Sequence, residues 1–410
     1  MELLRSAGHP EEVLALLRFK LGKNSVVRPR CSLSEMPVSM KRCYEYLNMT
    51  SRSFAAVIQA LDSELRNAVC VFYLVLRALD TVEDDMSIPI EKKVPMLKSF
   101  HTNLYNADWT FLKSQEKDKI VLEDFLTISH EFRMLKKEYQ EIIAEITEKM
   151  GLGMTVFFSR ELETDEDWDE YCHYVAGLVG IGLSKLFSAS GLEGPVVGRD
   201  TGMANSMGLF LQKTNIIRDY LEDITDGRVF WPKSVWRKYA SESLSEFRSM
   251  ENSREAVHCL NDLVANALTH VPDAIEYMSR IQNQSVFNFC AIPQVMAIAT
   301  LEKLYNNVKV FGGVVKIRKG TAVRLMGTSS DIDKVKAIFS HFLLKIQAKV
   351  SQTDPSRDRT LAAVKAGLEC TKTHTVYNTT EVYVPLYMSV LLMLSAIIWH
   401  YWNTFNLMLE

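Results

Sequence analysis

Two short acidic runs have the composition and spacing to hold a metal ion. Asp80-Thr81-Val82-Glu83-Asp84-Asp85 closes a strongly apolar segment, and Asp219-Tyr220-Leu221-Glu222-Asp223 falls late in another. On a helix, positions i, i+3 and i+4 share a face, so Asp80, Glu83 and Asp84 point together, as do Asp219, Glu222 and Asp223. Like charges stacked in this way destabilise an isolated helix by roughly a few tenths of a kcal/mol per pair, which argues for a compensating cation. Carboxylate oxygens without His or Cys suit Mg²⁺, which keeps waters and binds through a few carboxylates together with substrate phosphate. Each face continues backwards along its helix: Tyr73, Arg77, Asp80 and Asp84 follow one seam, and Gln212, Asn215, Asp219 and Asp223 the other. A single DxxED is ordinarily a solvated helix end. Two copies, each after an apolar helix and each near an arginine, reverse that reading. Arg77 and Arg218 are placed to neutralise a departing diphosphate together with the metal; their alternative role is a structural ion pair with the same carboxylates.

Such motifs need long, buried helices to carry them, and the composition supplies these. Gly is 18 and Pro 11 of 410 residues, about 4% and 3%, against usual levels of roughly 7% and 5%. Apolar residues at 47% and charged residues at 24% describe a folded chain with a large core. Apolar residues recur at three- and four-residue intervals over Glu64–Asp85, Val94–Asn106, Met134–Met150, Asp169–Ser188 and Met203–Asp223, the signature of amphipathic helices. Val314–Leu325, after Gly312 and Gly313, is the one β-like stretch. The expected architecture is all-α, with a single large helical domain over residues 35–350 behind an N-terminal segment, 1–34.

The two ends differ. The first twenty residues scatter Glu2, Arg5, Glu11 and Glu12 around a short apolar run and do not read as a signal peptide. From Val382 to Leu409 there is no Asp, Glu, Lys or Arg, and Val384–Trp402 is almost wholly apolar and aromatic. About 20 such residues span a bilayer core, and Tyr383, Trp399, Tyr401 and Trp402 stand where interfacial aromatics belong. The expectation is a transmembrane tail anchor over 382–402, a short tail, 403–410, and a polar linker, 351–381, with the body in the cytosol. Val286–Leu301, broken by Asn288, Pro293 and Gln294, reads instead as a helix buried in the protein. The net charge of −3 leaves no basic surplus for nucleic acid. Seven scattered cysteines without a CxxC pair indicate neither a disulfide framework nor a zinc site.

From residue 35 to about 350 the chain resembles the squalene synthases, the head-to-head farnesyl diphosphate condensing enzymes. The likeness rests on the two DxxED motifs, SRSFA at Ser51–Ala55, YCHYVAGLVGIGLS at Tyr171–Ser184 and NQSVFNFCAIPQ at Asn283–Gln294, and the C-terminal anchor is similar too. It implies an all-helical isoprenoid synthase fold and Mg²⁺ held by both acidic motifs, with Asn215 as a further ligand. It implies two farnesyl diphosphates joined through presqualene diphosphate, NADPH as reductant, and attachment to the endoplasmic reticulum membrane. Residue by residue, the resemblance makes Tyr171 the catalytic tyrosine, moving the proton lost on cyclopropane formation. It places Arg77 and Arg218 by the diphosphate and the nicotinamide-cofactor phosphates, with Tyr73 and Gln212 on the same seams. Ser51, Arg52, Ser53 and Phe54 become a flap near those phosphates, and Lys316 and Arg318 NADPH contacts. A phytoene-synthase-type enzyme would share the acidic motifs but lack the reduction; an inactive membrane-anchored scaffold would not need intact Asp, Arg and Tyr positions.

Other residues read less sharply. On composition alone Tyr171 is a hydrogen-bonded core tyrosine. A carbocation needs aromatic faces and exclusion of water, for which Phe54, Phe72, Tyr73, Phe210, Phe287 and Phe289 are candidates. Phe287 and Phe289 lie about 200° apart on an ideal helix, so both line one cavity only if the backbone departs there. Gly177, Gly180 and Gly182 each weaken a helix by about 1 kcal/mol, offset by close helix approach or by room for an isoprenoid chain. No GxGxxG opens a βαβ unit, so a Rossmann domain is absent. The acidic run Glu161–Glu170 reads as solvated surface.

Overall fold

The computed structural model describes residues 10–20, 26, 36–62, 64–249, 253–377, 389, 392–399 and 401. Its principal helices are α1 (Pro10–Lys20), α2 (Val38–Thr50), α3 (Arg52–Gln59), α4 (Leu65–Asp84), α5 (Ile90–Ser99), α6 (Lys137–Val156), α7 (Asp165–Ala189), α8 (Thr201–Arg218), α9 (Tyr220–Thr225), α10 (Ser253–Leu268), α11 (Val271–Arg280), α12 (Gln284–Leu304), α13 (Lys319–Thr328), α14 (Ile332–Lys349) and α15 (Arg357–Cys370). No strand occurs among the described residues, so the all-α expectation holds. α4 and α12 are apolar on most of their circumference and lie in the interior. α4 packs on α2, α6 and α7, while α8 packs on α7, α11 and α12. The stretch Val286–Leu301 therefore belongs to a buried core helix, as its interruptions implied.

Small residues set how closely α7 and α8 approach. A Cβ at Gly180 would strike the Ala204 carbonyl oxygen, and one at Gly208 the Ala176 carbonyl oxygen. Glycine at these crossings thus brings the two backbones together. α7 also carries a π-turn over His173–Gly177, directly after Tyr171, an irregularity common at functional sites.

Three sequence expectations need correction. Val314–Leu325 is not a strand: residues 314–318 lack regular structure and Lys319 opens α13. That helix packs on α1, and no sheet pairing occurs there. The acidic run Glu161–Glu170 is not simply solvated surface. Thr164 caps α7, Asp167 is buried in a capping box with it, and Asp169 pairs with Lys213. Acids in a helix's first turn favour its positive dipole end, which gives the run a structural purpose.

The third correction concerns the linker, 351–381, which contains α15. Thr360, Ala363, Val364 and Gly367 are buried, and α15 packs on α10 and α14. Arg359 donates to Asp262 at 2.6 Å and to Asp165 at 2.8 Å, tying α15 to α10 and to the start of α7. Polar composition hid a helix with only one narrow apolar face. Ending the chain near residue 350 is therefore expected to lower stability by about 2–4 kcal/mol, as for other losses of a packed core face. Ending it after Tyr377 should leave the melting temperature, followed by circular dichroism, unchanged. Equal melting temperatures for the two truncations would show α15 to be dispensable.

A buried polar cluster fixes α8 against α7 and α10. Lys213, 1% exposed, donates to Asn266 Oδ1 at 2.6 Å, meets His270 Nε2 at 2.9 Å, pairs with Asp169 and lies 5.0 Å from the Trp168 ring centroid. Burial, reinforced by the Lys213 charge, holds the His270 pKa down at about 3. The unfolded chain takes up this proton near pH 6.5 while the folded protein refuses it. This contribution to stability is thus complete above pH 6.5 and lost as pH falls toward 3. His270→Gln should flatten the loss of stability between pH 6.5 and 4, measured by urea unfolding. An unchanged slope would assign that acid sensitivity elsewhere.

Candidate active site

A cavity of about 280 Å³ runs between the helices that carry the two acidic motifs. α4 gives it Val69, Phe72, Tyr73, Leu76, Arg77 and Asp80, and α8 gives Ala204, Met207, Gly208, Leu211, Gln212 and Asn215. Both sets follow the three-and-four spacing of one helix face. Val175, Val179, Leu183 and Phe187 of α7, Phe54 and Ile58 of α3, and Phe289 and Pro293 of α12 complete the wall. On α4 and α8 alike the apolar residues come first and the polar ones last. The cavity is therefore an apolar pocket with one charged end, where Arg77, Asp80, Gln212 and Asn215 gather.

Beyond that end lie the remaining carboxylates. Asp80 is 3.8 Å from Arg77, whose Nε is also 3.8 Å from Asp118. Asp219 accepts two bonds from Arg218, at 2.8 and 2.5 Å. Burial pushes the Asp80 pKa up to about 7 against the pull of Arg77, with Asp84 and Asp118 adding to the rise. Burial likewise takes Asp223 to about 7, against Arg228 and with help from Asp219 and Glu222. Glu83 is raised by burial and by Asp84 and Asp80 beside it. A protein that buries negative charge at such expense has a ligand-ready site for cations. Oxygen-only donors fit Mg²⁺. Among the described residues no three acidic, sulfur or imidazole side chains already converge on one point, so these side chains alone do not form a complete coordination shell.

The shared helix faces bring part of each motif together. Asp80 and Asn215 line the cavity, and Asp84 and Asp223 approach one another through a shared arginine. Glu222 is solvent-exposed. The reason is a break at Asp219, between α8 and α9 (φ −93°, ψ 14°), which rotates the end of the motif. Asp85, adjacent to the first motif, turns away and accepts bonds from Ser87, Ser114 Oγ and Gln115 N.

Among the aromatic candidates, Phe54, Phe72, Tyr73 and Phe289 line the cavity. Phe287 does not. α12 remains helical through both positions, so the 200° separation sends Phe287 into the core while Phe289 meets Phe187 edge-on, centroids 5.8 Å apart. Phe210 packs against Phe339. The Arg77 guanidinium lies 5.6 Å from the Tyr73 ring centroid, and Phe54 is 6.4 Å from the same ring. Ser51 caps α3 by accepting from the Phe54 N–H at 3.2 Å. The side chains of Arg52 and Ser53 lie outside the described residues.

Tyr171 is 6% exposed and lies just outside that cavity, lining a neighbouring one of about 600 Å³. Its ring stacks on Phe230 (centroids 5.2 Å, 21°) and meets Phe157 edge-on at 5.4 Å. Burial first, then the negative charge of Glu83, Asp84 and Asp80, holds its hydroxyl well above the usual phenol range. The tyrosine is thus neutral and close to the first acidic motif. Lys316 and Arg318 are exposed, and Arg318 is committed to buried Glu12 of α1, its Nη2 donating at 2.6 Å. Nothing in the local sequence links Glu12 to residue 318.

Sequence reasoning missed Arg228, Asp118 and Lys93. Arg228 contacts Asp84 at 2.7 Å and Asp223 at 3.4 Å, one guanidinium touching both motifs. Lys93 reaches from α5 to the Glu83 carbonyl at 2.7 Å. The signal for Arg228 was present: an Asp-Gly step after an acidic helix marks a C-terminal cap.

Comparison with known proteins agrees with this geometry. The family model described as squalene/phytoene synthase matches residues 47–321. The chain is 54% identical over 414 residues to the squalene synthase of Homo sapiens, covering 100% of this chain and 98% of that protein. It is 48% identical over 362 residues to squalene synthase 1 of Arabidopsis thaliana, covering 87% of each. A solved structure of TcSQS in complex with the ligand BPH1237 superposes with a TM-score of 0.80 at 44% identity, covering 83% of this chain and all of the other. The chain belongs to the squalene/phytoene synthase family.

Proposed function

We propose that this protein joins two farnesyl diphosphates head to head, through presqualene diphosphate, and reduces the product to squalene with NADPH. The observation that carries this reading is the apolar cavity whose single charged end lies between two carboxylate motifs, on a chain alike over its full length to squalene synthases. Bound Mg²⁺, held by Asp80, Glu83, Asp84, Asp219 and Asp223 with Asn215, would neutralise the charge of the leaving diphosphate. Glu222, exposed here, stands outside that set. Arg77 and Arg218 donate to diphosphate oxygens. Phe54, Tyr73 and Phe289 shield the allylic cation, each face contributing about 2 kcal/mol once water is excluded. Tyr171, kept neutral by burial, relays the proton released on ring closure, its oxygen accepting that proton as its own O–H hydrogen passes to a diphosphate or carboxylate oxygen.

NADPH phosphates suit the exposed cationic segment at Lys316 and Arg318, together with Arg52. Arg318 must release Glu12 to take part. The absence of Asp, Glu, Lys and Arg from Val382 to Leu409 supports an anchor in the endoplasmic reticulum membrane. Most of that stretch lies outside the described residues, but 392–399 are helical, with Leu392, Met393, Ile398 and Trp399 more than 60% exposed. Product analysis with and without NADPH tests the proposal. Without cofactor the cyclopropyl diphosphate should accumulate, because the first step loses a proton and gains no hydride. Replacing both Lys316 and Arg318 by Ala should reproduce that pattern at low NADPH. A C30 hydrocarbon formed equally with and without NADPH would overturn the reductive half of the proposal.

A further inference from the structure

The guanidinium of Arg228 occupies the space between the two acidic motifs. The turn that carries it is built for that position. α9 ends at Thr225, Gly227 adopts φ +74°, the Gly227 N–H donates to Ile224 O at 3.2 Å and the Arg228 N–H to Asp223 O at 2.8 Å. This pair of bonds is a Schellman cap, which needs glycine at its left-handed position. It places the Arg228 backbone beside Asp223, and the side chain then crosses to Asp84 on α4, 2.7 Å away. The guanidinium lies 5.6 Å from the centroid of Phe230, whose ring stacks on Tyr171. Its Nε is buried and donates to no protein atom, so one N–H remains for an incoming acceptor.

We propose that Arg228 is a built-in counter-ion that makes divalent-cation binding conditional on diphosphate. In the substrate-free protein it neutralises Asp84 and Asp223, the carboxylates that the metal reading above assigns to Mg²⁺, and the inference rests on that reading. A guanidinium and a divalent cation repel each other at such distances, so metal alone enters at the expense of the Arg228 pairs. A diphosphate changes the balance. Its oxygens accept from Arg228, whose free Nε–H and planar fork suit them, and the carboxylates are released to the metal. The same displacement lifts the guanidinium from Phe230 and so alters the stack on Tyr171, linking loading of the site to the tyrosine's setting.

Binding of Mn²⁺, used as a paramagnetic substitute for Mg²⁺, tests this without turnover. The detergent-solubilised full chain is titrated with Mn²⁺ alone and with inorganic diphosphate, and free ion is read by electron paramagnetic resonance. The wild-type protein should bind Mn²⁺ at least tenfold more tightly with diphosphate than without. Arg228→Met should bind Mn²⁺ alone at least tenfold more tightly than wild type and lose most of the enhancement by diphosphate. Arg228→Lys, a point charge unable to span both motifs, should fall between and serves if the Met variant does not fold. Wild-type Mn²⁺ affinities for these variants, with Asp84→Asn still weakening Mn²⁺ binding, would overturn the counter-ion and leave the metal site standing. Unchanged Mn²⁺ binding in both Asp84→Asn and Asp223→Asn would overturn the metal reading, and the counter-ion with it.

Discussion

Asp80→Asn and Asp219→Asn should each lower the rate of diphosphate release from farnesyl diphosphate by at least ~10²-fold, as when one transition-state stabiliser is removed. The substitution keeps size and hydrogen-bonding capacity but withdraws charge from the place where the leaving group's charge must be met. Unfolding is not the expected cause. Both side chains remain partly accessible, at 29% and 25%, and neither supports the core. Asp80 in fact opposes folding at alkaline pH. Its pKa is raised from 3.8 to about 7, so the folded state holds a proton that the unfolded chain gives up, and stability falls as pH rises through that interval. Asp80→Asn should therefore melt no lower than wild type at pH 8 in the absence of metal. Wild-type turnover at saturating Mg²⁺ in either variant would reduce that motif to a surface charge cluster.

Tyr171→Phe should reduce the first condensation by ~10²-fold or more, the usual contribution of a positioned acid or base, with substrate affinity unchanged. Phenylalanine keeps the stack on Phe230 and the edge contact with Phe157, so the wall of the second cavity survives. What disappears is the hydroxyl held neutral next to the first acidic motif. Single-turnover measurement of presqualene diphosphate, with farnesyl diphosphate binding followed separately, distinguishes chemistry from binding. A wild-type rate constant for the first step would return Tyr171 to the role its composition alone gives it, a packed core tyrosine.

What was readable from residue order was whatever depends on neighbours within a turn or two. The faces Tyr73–Arg77–Asp80–Asp84 and Gln212–Asn215–Asp219 follow from helical periodicity, and Tyr73, Arg77, Asp80, Gln212 and Asn215 of these faces line one cavity. The opposed directions of Phe287 and Phe289 followed from the same geometry. The stretch 392–399 owes its exposed apolar surface to composition alone.

Where sequence failed, the deciding contact came from far along the chain or from a break in the helix. The turn at Asp219 swung Glu222 out to solvent. The helix Arg357–Cys370 hid because its apolar face is narrow, and only the partners Asp165 and Asp262 show why Arg359 is there. Arg318 looked available until Glu12, some three hundred residues earlier, was seen to hold it. Arg228 belongs with these. The Asp-Gly turn foretells a cap, but its reach from Asp223 to Asp84 exists only once α4 and α9 are packed together. Helix periodicity is set by backbone hydrogen bonds four residues apart, whereas ion pairs between helices are set by tertiary packing, and only the folded chain specifies those.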